Sequence, residues 1–143
     1  MSDRPSTDEL LANVRLFKDL DKKHLKRVAQ LATRLDLPAG RELTREGEVG
    51  HEFLVVLEGE VDVRVGDRVV ATRGPGEFFG EISLLEHRPR TATVVTKTPV
   101  IVEVIGQREF ATLLEDEPEV AAQLKSAMVE RLAELENADP ADG

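Results

Sequence analysis

Glu81 and Arg90 stand nine residues apart in the stretch Gly74–Val94, which carries the residue types needed to hold an anion. Gly80 precedes a short apolar run, Ile82, Leu84 and Leu85, that fits one or two helical turns. A helix start offers free backbone N–H groups and a partial positive charge. Pro89 stiffens the approach to Arg90, which helps aim the guanidinium back at that helix start. An arginine fork with backbone donors makes a phosphate site. Glu81 would repel an anion there unless it points elsewhere and accepts from a neutral hydroxyl, such as that of a ribose. Taken singly, these residues have ordinary readings: a first-turn helix acid, a surface charge and a turn glycine. Their joint spacing argues for a site. Arg88 reads as an exposed loop arginine beside it.

The stretch is too long for a hairpin turn, and long loops in compact domains are often functional. Upstream, residues 6–16 read as a helix, with Ser6 or Thr7 as its cap and Leu10, Leu11 and Val14 on one face. A second helix is expected over residues 21–32, with Asp21 as N-cap and Leu25, Val28, Ala29, Leu31 and Ala32 as its apolar positions. The period then changes from 3.6 to 2. Strands are expected near Leu35–Leu37, over Glu52–Leu57, over Val61–Val65 and, after the turn signal Gly66-Asp67, over Arg68–Thr72. Two more follow around Ala92–Thr96 and Val100–Val104. Many short strands with glycine turns point to a β-sandwich or small barrel. Helical spacing returns over Gln107–Glu115 and again from Pro118 to about Glu136, where Val120, Ala121, Leu124, Met128, Leu132 and Leu135 form a stripe. Residues 137–143 read as an acidic, flexible tail.

The run Phe79–Leu85, followed by Pro89–Val94, resembles the phosphate-binding cassette of cyclic nucleotide-binding domains. Arg45–Val63 also follows that family's glycine-punctuated strand pattern, and the resemblance covers roughly residues 20–135. It implies a mainly β fold with flanking helices: a β-roll (double-stranded β-helix, or jelly-roll) with N-terminal helices and two C-terminal helices. The expected division is one domain over 1–136, with helices to residue 34, the β-roll over 35–105 with the cassette at 76–92, and helices over 106–136. By position, Glu81 would accept the ribose 2′-hydroxyl and Arg90 would pair with the cyclic phosphate. Gly80 would let the backbone approach, and the N–H groups of Ser83 and Thr91 would donate to phosphate oxygens. Val63 would line the sugar or base pocket, and Phe79, Ile82 and Ala92 complete the expected ligand-binding set. Met128 or Leu132 of the last helix would cap the base. Thr91 stands where some cyclic AMP-selective members carry Ala, so cyclic GMP stays open beside cyclic AMP, which family prevalence favours. The resemblance implies binding without turnover, and no cofactor or metal.

Composition agrees with that class. The net charge is −9, and residues 115–143 hold two basic side chains against nine acidic ones. Such a balance argues against binding nucleic acid, which needs a concentrated basic face. Five Phe with no Trp or Tyr supply few stacking platforms. No apolar stretch is long enough for membrane insertion. The polar start reads as carrying no signal peptide, and the absence of cysteine fits a reducing cytoplasm. His24, His51 and His87 are not paired at metal-ligand spacing, and no nucleophile elbow or Walker-type loop occurs. The chain therefore reads as a stand-alone signal-transduction sensor, not an enzyme, acting through an unidentified effector protein. It would be a monomer, or a homodimer through the last helix. The competing reading is a ligand-free protein-interaction module with a vestigial cassette.

Overall fold

The computed structural model describes residues 7–137. Helix α1 spans Thr7–Ala12 and a 3-10 turn spans Arg15–Phe17. The expected single helix over 6–16 is thus broken at Val14, whose backbone is extended. The reason is burial. On a continuous helix Leu16 would point away from the face shared by Leu11, Val14 and Phe17, and the break lets all four enter the core. Ser6, the alternative cap, and residues 138–143 lie outside the described residues.

Helix α2, Lys22–Leu31, starts at Asp21, whose side chain accepts a hydrogen bond from the backbone N–H of His24 at 2.9 Å. Eight strands follow: β1 (Thr33–Leu37), β2 (Glu42–Thr44), β3 (Glu52–Glu58), β4 (Val61–Val65), β5 (Arg68–Arg73), β6 (Phe78–Phe79), β7 (Thr93–Thr96) and β8 (Val100–Gly106). Helix α3, Glu81–Glu86, lies between β6 and β7. Helices α4 (Gln107–Asp116) and α5 (Pro118–Asn137) close the chain, so Asn137 ends a helix instead of opening the tail. Strands β2 and β6 were not expected. They are three and two residues long, too short to show an alternation.

Two antiparallel four-stranded sheets form the β-roll, in the orders β1-β8-β3-β6 and β2-β7-β4-β5. Phe53 to Leu57 of β3 are buried without interruption, so this strand has apolar neighbours on both faces. Phe53, Val55 and Leu57 join Leu11, Val14, Phe17, Phe110, Leu113 and Leu124 in a core between sheet and helices. Val56 joins Val61, Val94, Val100 and Val102 in a second core. The two periods of the sequence therefore meet in one strand: alternate residues of β3 face the helices and the β-roll interior.

One acid sits inside the larger core. Glu103 of β8 falls between Ile101 and Ile105 on the helix-facing side and is 1% exposed. Burial pushes the group up to about 7, against the opposing pull of Arg34, its cross-strand neighbour, and the Thr7 hydroxyl. A carboxyl raised above its unfolded value favours the fold most when protonated. That contribution is full below about pH 4 and is lost as the pH rises through about 7. Glu103→Gln has no charge to bury. Its melting temperature should gain on that of the wild-type protein between pH 5.5 and 8.5, by the equivalent of roughly 2 kcal/mol. Thermal melts at the two pH values test this, and an equal offset at both would refute the buried charge penalty.

Candidate functional site

The site begins where β3 hands the chain's register to the cassette. Leu54 and Val55 pair with Phe79 and Phe78 of β6, which delivers Gly80 to the start of α3. Gly80 has φ of 104°, a conformation side chains rarely adopt, and a Cβ there would collide with the carbonyl oxygen of Glu52. Only glycine lets the chain turn this close to β3. The N–H groups of the first turn of α3 have no main-chain partner within the helix, and those of Glu81 and Ile82 turn to the Glu81 carboxylate.

Arg90 is fixed from the other side by the loop between β2 and β3. Its backbone N–H donates to Glu48 O at 2.8 Å, and its carbonyl accepts from Gly47 N–H at 2.9 Å. The guanidinium donates through Nη2 to Glu52 O at 2.8 Å. It lies flat against Gly50, where a Cβ would collide with Arg90 Nε and Cζ. Nη1 is buried and has no hydrogen-bond partner. Burial lowers the arginine's proton affinity, opposed by the charges of Glu52 and Glu81. The result is a half-buried cation whose Nη1 is unspent beside Gly80, at a helix start.

Glu81 is 1% exposed. Burial raises its pKa, opposed by Arg131 and by backbone N–H groups of its own helix start. Arg131 Nη1 is paired with Glu81 Oε1 and also donates to Phe78 O at 2.8 Å. Its guanidinium carbon lies 4.5 Å from the centre of the Phe78 ring. Phe78 in turn packs on Phe53, and Phe53 on Phe110 of α4.

These side chains surround one half-enclosed cavity of about 660 Å³. Gly80, Glu81, Ile82, Ser83, Arg90, Thr91, Ala92, Val63 and Phe79 all line it. Thr44, Val65, Arg68, Val70, Ala71, Arg73 and Val94 extend the wall along β2, β4, β5 and β7, and Glu46 of the loop after β2 joins them. Arg88 is exposed and does not line it. Met128 and Leu132, the expected caps, are not on the lining either. They are half-buried, while Arg131 and Glu134 of the same helix face the cavity. Helix α5 thus turns a polar side toward the opening, and its apolar stripe faces elsewhere. His51 and His87 are exposed, and His24 pairs with Glu117 at 2.7 Å. Among the described residues no group of three His, Asp or Glu is placed to hold a metal ion, and no helix is long and apolar enough to cross a membrane.

Residues 34–117 match the family model of the cyclic nucleotide-binding domain. A cyclic nucleotide-gated potassium channel of Rhizobium etli is 34% identical over 86% of this chain and 34% of its own length. A CRP-like cAMP-activated global transcriptional regulator of Mycobacterium tuberculosis is 27% identical over 91% of this chain and 60% of its own. A solved structure described as Sp-2Cl-cAMPS bound to PKAR CBD2 superposes with a TM-score of 0.76 at 26% identity, covering 90% of this chain and 88% of that one. The chain thus spans about a third of the channel and three-fifths of the transcriptional regulator.

Gly80 carries the geometric demand of the whole site. Gly80→Ala forces a strained backbone and a collision with β3, and should cost roughly 1–3 kcal/mol of stability. A denaturant titration measures it. Gly47→Ala is the comparison: Gly47 also has positive φ, 86°, but open space around its Cβ position. Equal losses at the two positions would refute the close-approach argument.

Proposed function

The chain belongs to the cyclic nucleotide-binding domain family, and from that premise we propose that it is a regulatory module that binds cyclic AMP and acts through a partner protein. The observation that carries this reading is Arg90. Its buried Nη1 lacks a partner, next to the start of α3 and in the same cavity as a buried carboxylate. A desolvated cation without a counter-ion is costly, and an incoming anion removes that cost. A cyclic phosphate at this place would take the Arg90 fork and the backbone N–H groups of Ser83 and Thr91. Glu81, repelled by the phosphate itself, would accept the neutral ribose hydroxyl one step away. The base would then lie toward Val63, Val65 and Val70 of the β4–β5 hairpin, under α5. Every one of these groups binds or orients; the reading assigns none of them a proton transfer or a bond to break.

Cyclic AMP is preferred because the Mycobacterium tuberculosis regulator is named for it and the superposed structure holds a close analogue. Thr91 lines the cavity, and a hydroxyl at that position would suit a guanine as well. The partner that receives the signal is sought among proteins that distinguish the bound from the free form.

Calorimetric titration with cyclic AMP, cyclic GMP and linear AMP tests the reading. Cyclic AMP should bind at micromolar concentration or tighter. Arg90→Ala should weaken it about 10- to 100-fold, the worth of a charged hydrogen-bonded pair. Tighter binding of cyclic GMP would reassign the ligand. No binding of any of the three would refute the sensor and leave an interaction module with a vestigial cassette.

A further inference from the structure

Glu46, in the loop after β2, stands where two parts of the cavity wall meet. Its backbone N–H donates to Thr93 Oγ1 at 3.0 Å, which fixes it beside the first residue of β7. Its side chain reaches the turn between β4 and β5, where Oε1 accepts from the backbone N–H of Gly66 at 2.8 Å. The next two residues of the same loop, Gly47 and Glu48, hold Arg90 through the main chain. The turn depends on such a tie. Strand β4 pairs with β7 only from Val61 to Arg64, because the chain before Thr93 leaves the sheet to form the cassette. Strand β5 lies at the sheet edge. The tip of the hairpin, from Val65 to Arg68, therefore extends past the end of β7 and pairs only with itself. Among the described residues, the Glu46 carboxylate makes the one hydrogen bond that reaches this tip from another element. An ionised acceptor on a backbone N–H is the stronger kind of hydrogen bond.

We propose that Glu46 is a positioning residue for the ligand site: it holds the β4–β5 turn at a fixed distance from Arg90, and so sets where the base wall stands relative to the phosphate. The inference rests on the cyclic nucleotide reading and goes beyond it by naming what spaces the two ends of the site. Val65 and Arg68 flank the turn and line the cavity, on the wall toward which the base would lie. Arg90 stands at the phosphate end. Three consecutive loop residues join the two: Glu46 by its side chain to the turn, Gly47 and Glu48 by their main chain to Arg90. The ligand's own rings limit how far its base can stand from its phosphate. A wall free to swing must be ordered when the ligand arrives, and that ordering costs affinity. The sign of the effect separates position from charge. Glu46 is an acid on the wall of a cavity that would take an anion. Acting through its charge alone, it would repel the ligand, and its removal would tighten binding. Acting through the turn, it would improve binding, and its removal would weaken it. Gln in its place keeps an acceptor oxygen for the Gly66 N–H and drops the charge.

The test compares wild type, Glu46→Gln and Glu46→Ala, each checked for a melting profile like that of wild type. Two quantities are measured: amide hydrogen exchange of Gly66 in the ligand-free protein, and calorimetric titration with cyclic AMP. In Glu46→Ala the Gly66 amide should exchange about tenfold faster, as the tip opens locally. The same variant should lose about three- to tenfold in affinity, the worth of one solvent-exposed hydrogen bond to a charged group. Glu46→Gln should stay within about twofold of wild type in both measurements, since the acceptor is kept. Tighter binding by both variants would reduce Glu46 to a charge on the wall and overturn the proposal. Unchanged Gly66 exchange in Glu46→Ala would overturn it as well, and so would an equal loss of affinity in the two variants. A wild-type protein that binds no cyclic AMP would overturn the cyclic nucleotide reading and this proposal with it, a failure seen before any variant is titrated.

Discussion

Strand β3 has apolar neighbours on both faces, and the two cores, the cassette and the arginine all take their positions from it. Phe53, Val55 and Leu57 anchor the helices, and Val56 reaches into the β-roll. Its edge pairs with β6 and so sets where Gly80 falls. The carbonyl of its first residue, Glu52, takes a hydrogen bond from Arg90 and closes the space above Gly80. A strand cannot slip by one residue here without turning Phe53 and Val55 away from the helical core. Register and site geometry are therefore one constraint. The energy that fixes the binding groups comes from apolar burial about two residues away, where it is large, and not from the polar contacts themselves, which are individually small.

The cavity is then a problem of charge balance. Arg90 is half-buried with a donor unspent, Glu81 is fully buried, and Arg131 joins the latter to α5. Removing one member of such a set leaves a charge without its partner in a poorly solvated place, which costs more than the contact contributes. A phosphate bound at Arg90, as proposed above, would change that balance there and, through the shared field, at Glu81 and Arg131. The apolar stripe of α5 reports on the core, while its polar side reports on the cavity.

How much of this could be read from the sequence follows from the kind of signal each feature leaves. Asp21 as a cap, the Gly66-Asp67 turn, the start of α3 after Gly80 and the strand runs of β3, β4 and β8 all declare themselves locally. Their residue types and periods depend on neighbours a few positions away. Strands β2 and β6 do not, because two or three residues cannot display a period, and they exist only by pairing with β7 and β3. Glu103 is hidden inside an apolar run, where the strand pattern carries it into the core without marking its cost. Arg131 escaped because the last helix was read for its apolar positions. The available signal was compositional: it is one of two basic residues in a segment with nine acids, a place where a solitary arginine has a reason to be. Which side of α5 faces the cavity depends on tertiary packing, and the hydrophobic stripe alone pointed to Met128 and Leu132.

That packing also divides α5 into two halves that are held differently. Its root is held by Val120 and Leu124, both buried, and by Glu117, which accepts a 2.7 Å hydrogen bond from His24 of α2 and raises that histidine's pKa. Further along, Met128 and Leu132 are only half-buried and Val129 is 62% exposed. The hold there is polar and runs through Arg131. Moving the root would expose core, at a cost of several kcal/mol for the apolar side chains involved. A ligand can shift an equilibrium only by as much as it distinguishes the two states. The helix is therefore held by buried apolar side chains at its root and, toward the cavity, by the contacts of Arg131 with Glu81 and Phe78.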